Sequence, residues 1–149
     1  MAESFQIELQ QQGGYRFDVH FPGTDLPSLV TDEPPPLGTG VGPKPSQLLG
    51  TSVANCLCAS LLFALRKFGN EPGPLRAVAT VTLDRNAQNR MRISGIGVEI
   101  RLGVAGGMLQ HGERAIAQFE EFCVVTQSVR SAIPVAVRVL DREGAVLKG

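Results

Sequence analysis

The strongest constraint on the fold is the segment from Ser46 to Phe68, which reads as one long helix stopped by Gly69-Asn70. Ser46, directly after Pro45, serves as a cap or first-turn residue. The helix is apolar on nearly every side, so several elements or a second subunit must cover it. Its longest apolar stretch, Val53 to Leu65, is interrupted by Asn55 and Ser60 and is too short to span a bilayer, so no membrane partner is expected. Upstream, residues 22–45 are rich in Pro and Gly, and Pro34-Pro35-Pro36 excludes helix there. That stretch reads as a rigid surface loop, with a short strand at Ser28 to Thr31.

Strands flank the helix on both sides. Phe5, Ile7 and Leu9 alternate with polar residues, Gly13-Gly14 offers a tight turn, and Tyr15, Phe17, Val19 and Phe21 alternate again. This is a hairpin whose polar face carries Arg16, Asp18 and His20. A second hairpin follows: Ala77 to Leu83, a turn at Asn86 to Asn89, then Met91 to Leu102. The apolar parity slips at Ser94-Gly95, which predicts a β-bulge. A second helix over Met108 to Phe122 lines up Leu109, Ile116, Phe119 and Cys123, and a shorter one runs on to about Ser131. Ile133 to Val139 and Ala145 to Lys148 form the last hairpin. The order predicts an α+β fold of mainly antiparallel sheets in a single domain over residues 1–149.

Composition removes several classes of function. Fourteen basic and fourteen acidic residues balance, and with one Tyr and no Trp there is little to hold a duplex or stack on single strands, so no nucleic acid is expected. No strand–Gly-rich turn–helix unit is present, which argues against nucleotide cofactors, and no cofactor is expected. The N-terminus lacks a basic segment followed by an apolar one, and a cytoplasmic location is the default expectation. His20 and His111 have no Cys or carboxylate at a suggestive spacing for hydrolase chemistry. Glu120 and Glu121 read as a solvated helix end.

Three cysteines leave thiol chemistry open. Cys56 and Cys58, two apart on a helix, point about 200° apart, so they can neither pair nor share a metal while the helix persists, and no metal site is expected. Ala54, Leu61, Leu62 and Leu65 surround Cys58 and make it a core residue. Cys56 has Ser52, Val53, Ala59 and Ser60 beside it, small and partly polar, with room for a substrate or a second thiol. Ser46, Ser52, Ser60 and Phe63 are the candidate substrate contacts, although Phe63, like Phe68, Phe119 and Phe122, also reads as core. Cys123, at the end of the second helix, is by itself more often a buried structural thiol.

The run Gly42-Pro43-Lys44-Pro45-Ser46-Gln47-Leu48-Leu49, with Val53-Ala54-Asn55-Cys56-Leu57 after it, resembles the helix signature of the OsmC/Ohr family: Pro, a Leu pair, small residues, and Cys eleven positions after the Pro. Phe119 to Thr126, around Cys123, resembles the family's second motif, and the element order is similar along essentially the whole chain. The resemblance implies an intertwined homodimer with the long helices central. It also implies a thiol peroxidase acting on organic hydroperoxides, with hydrogen peroxide a second candidate substrate. Cys56 would be the peroxidatic residue, Cys123 the resolving one, and Arg16 the cation that activates the thiol. A dithiol, such as a lipoylated protein, would be the reductant.

Peroxidatic members often carry Glu directly after the signature Pro, where it orients the Arg; Ser46 stands there, and Asp32 or Glu33 are the nearby carboxylates that could replace it. That departure supports the alternative, a non-catalytic dimer of the same fold that binds an apolar ligand or serves as a redox sensor.

Overall fold

The computed structural model describes all residues, 1–149, and divides into two compact units, Met1–Leu48 and Leu49–Gly149. In the first, β1 (Glu8–Gly13), β2 (Arg16–His20) and β3 (Leu29–Thr31) form an antiparallel sheet in that order. Gly13 and Gly14 have φ of 137° and 55°, a turn that residues with a Cβ adopt at a cost. Glu8 pairs with His20, so Phe5 and Ile7 precede the strand and are exposed; the partner strand has already given way to Phe21-Pro22. The short strand expected at Ser28 to Thr31 is β3.

Buried Asp32 organises the loop after β3. Its Oδ1 accepts the Glu33 N–H (2.8 Å), and its Oδ2 accepts the Thr39 hydroxyl (2.6 Å) and the N–H groups of Thr39 (3.1 Å) and Val41 (3.3 Å). Gly38 packs so tightly that a Cβ there would collide with the Glu33 carbonyl and the Asp32 carboxylate. The loop leads into α1 (Pro45–Lys67), with Ser46 in its first turn and the Lys44 carbonyl accepting the N–H groups of Gln47 (3.0 Å) and Leu48 (3.2 Å). Pro45 takes the first helical position, and Gln47 Oε1 reaches back to the Lys44 N–H at 3.0 Å.

In the second unit α1 presents one row, Gly50, Val53, Leu57, Leu61 and Leu65, to the core. By length and composition the helix could cross a membrane, but this row packs on a sheet as a core helix does. It ends as the sequence indicates: Gly69 is left-handed (φ 80°), and the N–H groups of Gly69 and Asn70 close back on Arg66 O (2.8 Å) and Leu65 O (3.1 Å). The buried Asn70 side chain then bonds Gln110 O at 2.8 Å and the Gln110 N–H at 2.7 Å, fixing the approach to the second helical segment.

The sheet runs β4 (Arg76–Arg85), β5 (Met91–Arg101), β6 (Val135–Leu140), β7 (Val146–Lys148). Thr82 pairs with Gly95 and Leu83 with Ile93, so Ser94 is the bulged residue, where the parity slips. Ile96, Val98 and Ile100 then face the helix row. The sheet is mixed rather than wholly antiparallel, because β6 runs parallel to β5. Parallel neighbours need a long crossover, and the helical segment between them supplies it.

That segment is not the single helix expected over Met108 to Phe122. It comprises a 3₁₀ turn (Gly106–Met108), α2 (Gly112–Gln118), a second 3₁₀ turn (Phe119–Phe122) and α3 (Val124–Val129). His111 is left-handed (φ 52°) before α2, and Cys123 is extended (ψ 97°), which breaks the run at both places. The apolar stripe survives the breaks: Ile116, Phe119 and Cys123 are all buried. Asp141, also buried, accepts the Gly106 N–H (2.9 Å) and those of Glu143 (2.9 Å) and Ala145 (2.8 Å), tying the crossover's start to the β6–β7 turn.

The Thr39 hydroxyl bond, with the N–H bonds of Glu33, Val41 and Thr39 and against the effect of burial, lowers the Asp32 pKa to about 2. A depressed folded pKa gives stability that is present above the usual carboxylate range of about 4 and lost as pH falls through about 2. Asp32→Ala is expected to lower the midpoint of thermal unfolding at pH 7 and to flatten its decline between pH 4 and pH 2. An unchanged midpoint and an unchanged acid profile, followed by circular dichroism, would show that the loop does not depend on this carboxylate.

Candidate functional site

Two elements of the second unit bring the chemistry together. Cys56 and Cys58 sit on either side of the buried α1 row, since each is one residue from Leu57 and about 100° round the helix. Both are half-buried. Cys123 follows the second 3₁₀ turn, is fully buried, and belongs to the same core cluster as Val53, Leu57 and Phe119. Cys56 packs against the cluster that contains Cys123 and is a close enough neighbour to act on its thiol, and all three cysteines are free. The side chains that meet are therefore 67 positions apart in the chain, and Cys58 faces elsewhere.

Burial pushes the Cys123 thiol above its ordinary pKa; the Thr126 hydroxyl opposes this, the neighbouring Cys56 thiol adds to it, and the Thr126 N–H opposes it again. Cys58 is likewise raised, by burial alone. It lines a shallow surface groove with Leu62, Arg66 and Pro74.

Of the expected substrate contacts, Ser60 and Phe63 line a cavity of about 210 Å³. Ser60 stands one turn beyond Cys56 on α1, and the opposite wall carries Arg114 of α2 and Phe122, the residue before Cys123. Lys67 closes the far end. Phe63 and Phe122 are each 71% exposed, so neither is a core residue. Both lie off the buried stripes, and nothing in a single chain covers them; Phe119 is the phenylalanine at the centre of the core. Ser52 is exposed on α1, and Ser46 lies in its first turn.

Arg16 is in the first unit, exposed on β2 and without an ion pair. Asp32 is already committed to its own loop, so it does not stand in for the absent Glu. Asp18, two residues along β2 from Arg16, has a buried Oδ1 with no hydrogen-bond partner. No three His, Cys, Asp or Glu side chains converge in a way that would hold a metal ion.

Glu120 is not solvated as expected. Its carboxylate, 13% exposed, is clasped by Arg130 (2.6 Å) and Lys148 (2.6 Å). Burial raises its pKa, but the hydrogen bonds from those two cations outweigh burial and hold it below the usual range. Lys148 also lies 5.3 Å from the Phe119 ring centroid, and the Cys123 N–H bonds Glu120 O at 3.1 Å. The clasp ties the turn that presents Cys123 to α3 and to β7. Sequence reasoning could have found it only by knowing that Arg130 and Lys148 converge there.

The family model described as OsmC-like protein matches residues 38–138, well over half of the chain and including both Cys56 and Cys123. The chain belongs to the OsmC-like family. Solved OsmC-like structures share its fold. An OsmC-like protein of unknown function from Vibrio cholerae superimposes with a TM-score of 0.78 at 14% identity, covering 93% of this chain and 100% of that one. An organic hydroperoxide resistance protein OsmC from Legionella pneumophila gives 0.68 at 19% identity, over 93% and 98%. The organic hydroperoxide resistance protein OhrB of Bacillus subtilis gives 0.67 at 16% identity, over 92% and 98%. No curated protein sequence matches the chain.

The burial of Cys123 sets an order of labelling. In the reduced, native OsmC-like protein iodoacetamide is expected to modify Cys123 last of the three cysteines, and at least tenfold more slowly than after unfolding, because attack requires an accessible thiolate. Peptide mapping over time reads this directly; labelling of Cys123 as fast as Cys58 would contradict the buried placement.

Proposed function

We propose that this protein is a cysteine-based peroxidase that reduces organic hydroperoxides, and the observation that carries the reading is the meeting of the free Cys56 and Cys123 thiols across 67 residues of chain. A passive pocket has no need of two neighbouring thiols. Cys56, on the more open side, attacks the peroxide: its sulfur bonds to the terminal oxygen, the O–O bond breaks, and the alcohol leaves with a proton. The Cys56 sulfenic acid is then attacked by the Cys123 sulfur, which forms the disulfide and releases water. An exogenous dithiol, a lipoylated protein among the candidates, returns both thiols. No cofactor enters the cycle. The names of the solved hydroperoxide resistance proteins support the substrate class.

Arg16 supplies the positive charge that favours the attacking thiolate, and Ser46 takes the place beside it that the family fills with Glu. Ser52, Ser60 and Phe63 contact the organic group of the peroxide. The working unit is a homodimer of single 149-residue domains acting in the cytoplasm. Its support is the apolar surface that one chain leaves open: Phe63 and Phe122 on the helical side, and a ten-residue β4 exposed along nearly its whole length with one edge unpaired.

The unpaired Arg16 and the neutral Ser46 support a second reading, a non-catalytic dimer that holds an apolar ligand or senses oxidants. The two are separated by turnover. With excess dithiothreitol the native protein is expected to consume cumene hydroperoxide catalytically, and Cys56→Ser to lose at least a hundredfold in rate. Arg16→Ala is expected to lose about ten- to a hundredfold, in line with removal of an electrostatic contact at a reacting centre. Consumption no faster than that of an ordinary thiol, equal in Cys56→Ser, would support the ligand-binding reading. Light scattering on the same sample is expected to give twice the 15.9 kDa chain mass; a single-chain mass would remove the dimer.

A further inference from the structure

Cys123 Sγ donates a hydrogen bond to Thr126 Oγ1 at 3.1 Å, and both residues have zero exposure. Thr126 stands three positions after Cys123, where α3 turns its side chain back to the residue that precedes the helix. In so apolar a place a charged sulfur is costly unless a donor meets it. A hydroxyl can do so, because it accepts from the thiol and donates once the thiol proton has gone.

We propose that Thr126 is a catalytic residue for the disulfide half of the cycle, its hydroxyl stabilising the Cys123 thiolate both when that sulfur attacks and when it leaves. This rests on the two-cysteine reading above. In resolution Cys123 gives up its proton, Thr126 Oγ1 turns to donate to the sulfur, and the sulfur's electron pair forms the bond to the Cys56 sulfenic sulfur. The sulfenic oxygen departs and, with a proton, becomes water. In reduction a thiolate of the dithiol attacks Cys56 Sγ, and the bond to Cys123 breaks with both electrons going to Cys123. The Thr126 O–H is then the donor that receives the leaving thiolate, and a better-stabilised thiolate leaves faster. The second thiol of the reductant completes its own disulfide and frees Cys56.

The test forms the disulfide with diamide, which requires no peroxidase activity, and then follows its reduction by dithiothreitol. Thr126→Val, which keeps the side-chain shape and removes the hydroxyl, is expected to be reduced about tenfold more slowly than the native protein. Thr126→Ser is expected to stay within about twofold. Equal rates for native and Thr126→Val, or a Thr126→Ser as slow as Thr126→Val, would overturn the role. If Thr126→Val does not fold, Thr126→Ser against Thr126→Ala gives the same comparison, since both lose the methyl group and only one keeps the hydroxyl. Native protein that forms no Cys56–Cys123 disulfide with diamide would overturn the two-cysteine reading along with this one, whereas equal rates overturn this one alone.

Discussion

The contact on which the second unit depends is the packing of Val53, Leu57, Leu61 and Leu65 of α1 onto Ile96, Val98 and Ile100 of β5. Burying a leucine of this kind contributes about 1.5–3 kcal/mol, so the row is a large part of what holds the helix against the sheet. It also fixes the helix in rotation. With Leu57 facing inward, Cys56 and Cys58 must lie to either side, and only the Cys56 side meets Cys123. The core thereby decides which of two nearly adjacent cysteines has a thiol neighbour. Phe119 and Cys123 are themselves members of that core, so the second thiol is held by the same apolar packing as the first.

Three carboxylates then hold the irregular segments that apolar packing leaves loose. Asp32 closes the loop after β3, Asp141 ties Gly106 to the last turn, and Glu120 gathers Arg130 and Lys148 beside Cys123. In each case the depressed pKa reflects hydrogen bonds to the charged form that outweigh burial. The arrangement leaves Cys123 fully buried, with the Thr126 hydroxyl hydrogen-bonded to its sulfur and Cys56 as its thiol neighbour.

Much of this was legible in the sequence where the signal is local. The Gly69 stop, the Gly13-Gly14 turn and the parity slip at Ser94 are each determined by a few neighbouring residues, and each lies where the pattern puts it. What was not legible depends on distant partners. The parallel pairing of β5 and β6 follows from how the crossover packs, which no periodicity records. The single helix expected over 108–122 is interrupted at left-handed His111 and tightens into a 3₁₀ turn from Phe119, while Ile116, Phe119 and Cys123 are buried as the pattern indicates, because the core claims those side chains whichever helical form the backbone takes. The family resemblance, not the spacing alone, suggests that Cys56 and Cys123 belong together, and the fold makes them neighbours. Glu120 reads as a solvated helix end, and Thr126 and Asp141 carry no role in the sequence reading, because what each does comes only from what folds against it. Phe63, which also reads as a substrate contact, and Phe122 are exposed rather than core, because apolarity alone does not say which side chains the fold buries.

The central claim is that Cys56 and Cys123, and not Cys58, form one redox pair. It is tested most directly by disulfide mapping of the native protein after one equivalent of an organic hydroperoxide, with free thiols blocked before digestion. The account predicts a peptide pair joined through Cys56 and Cys123 within one chain, with Cys58 recovered as a blocked thiol. A bond through Cys58, a bond between chains, or three blocked thiols would contradict it.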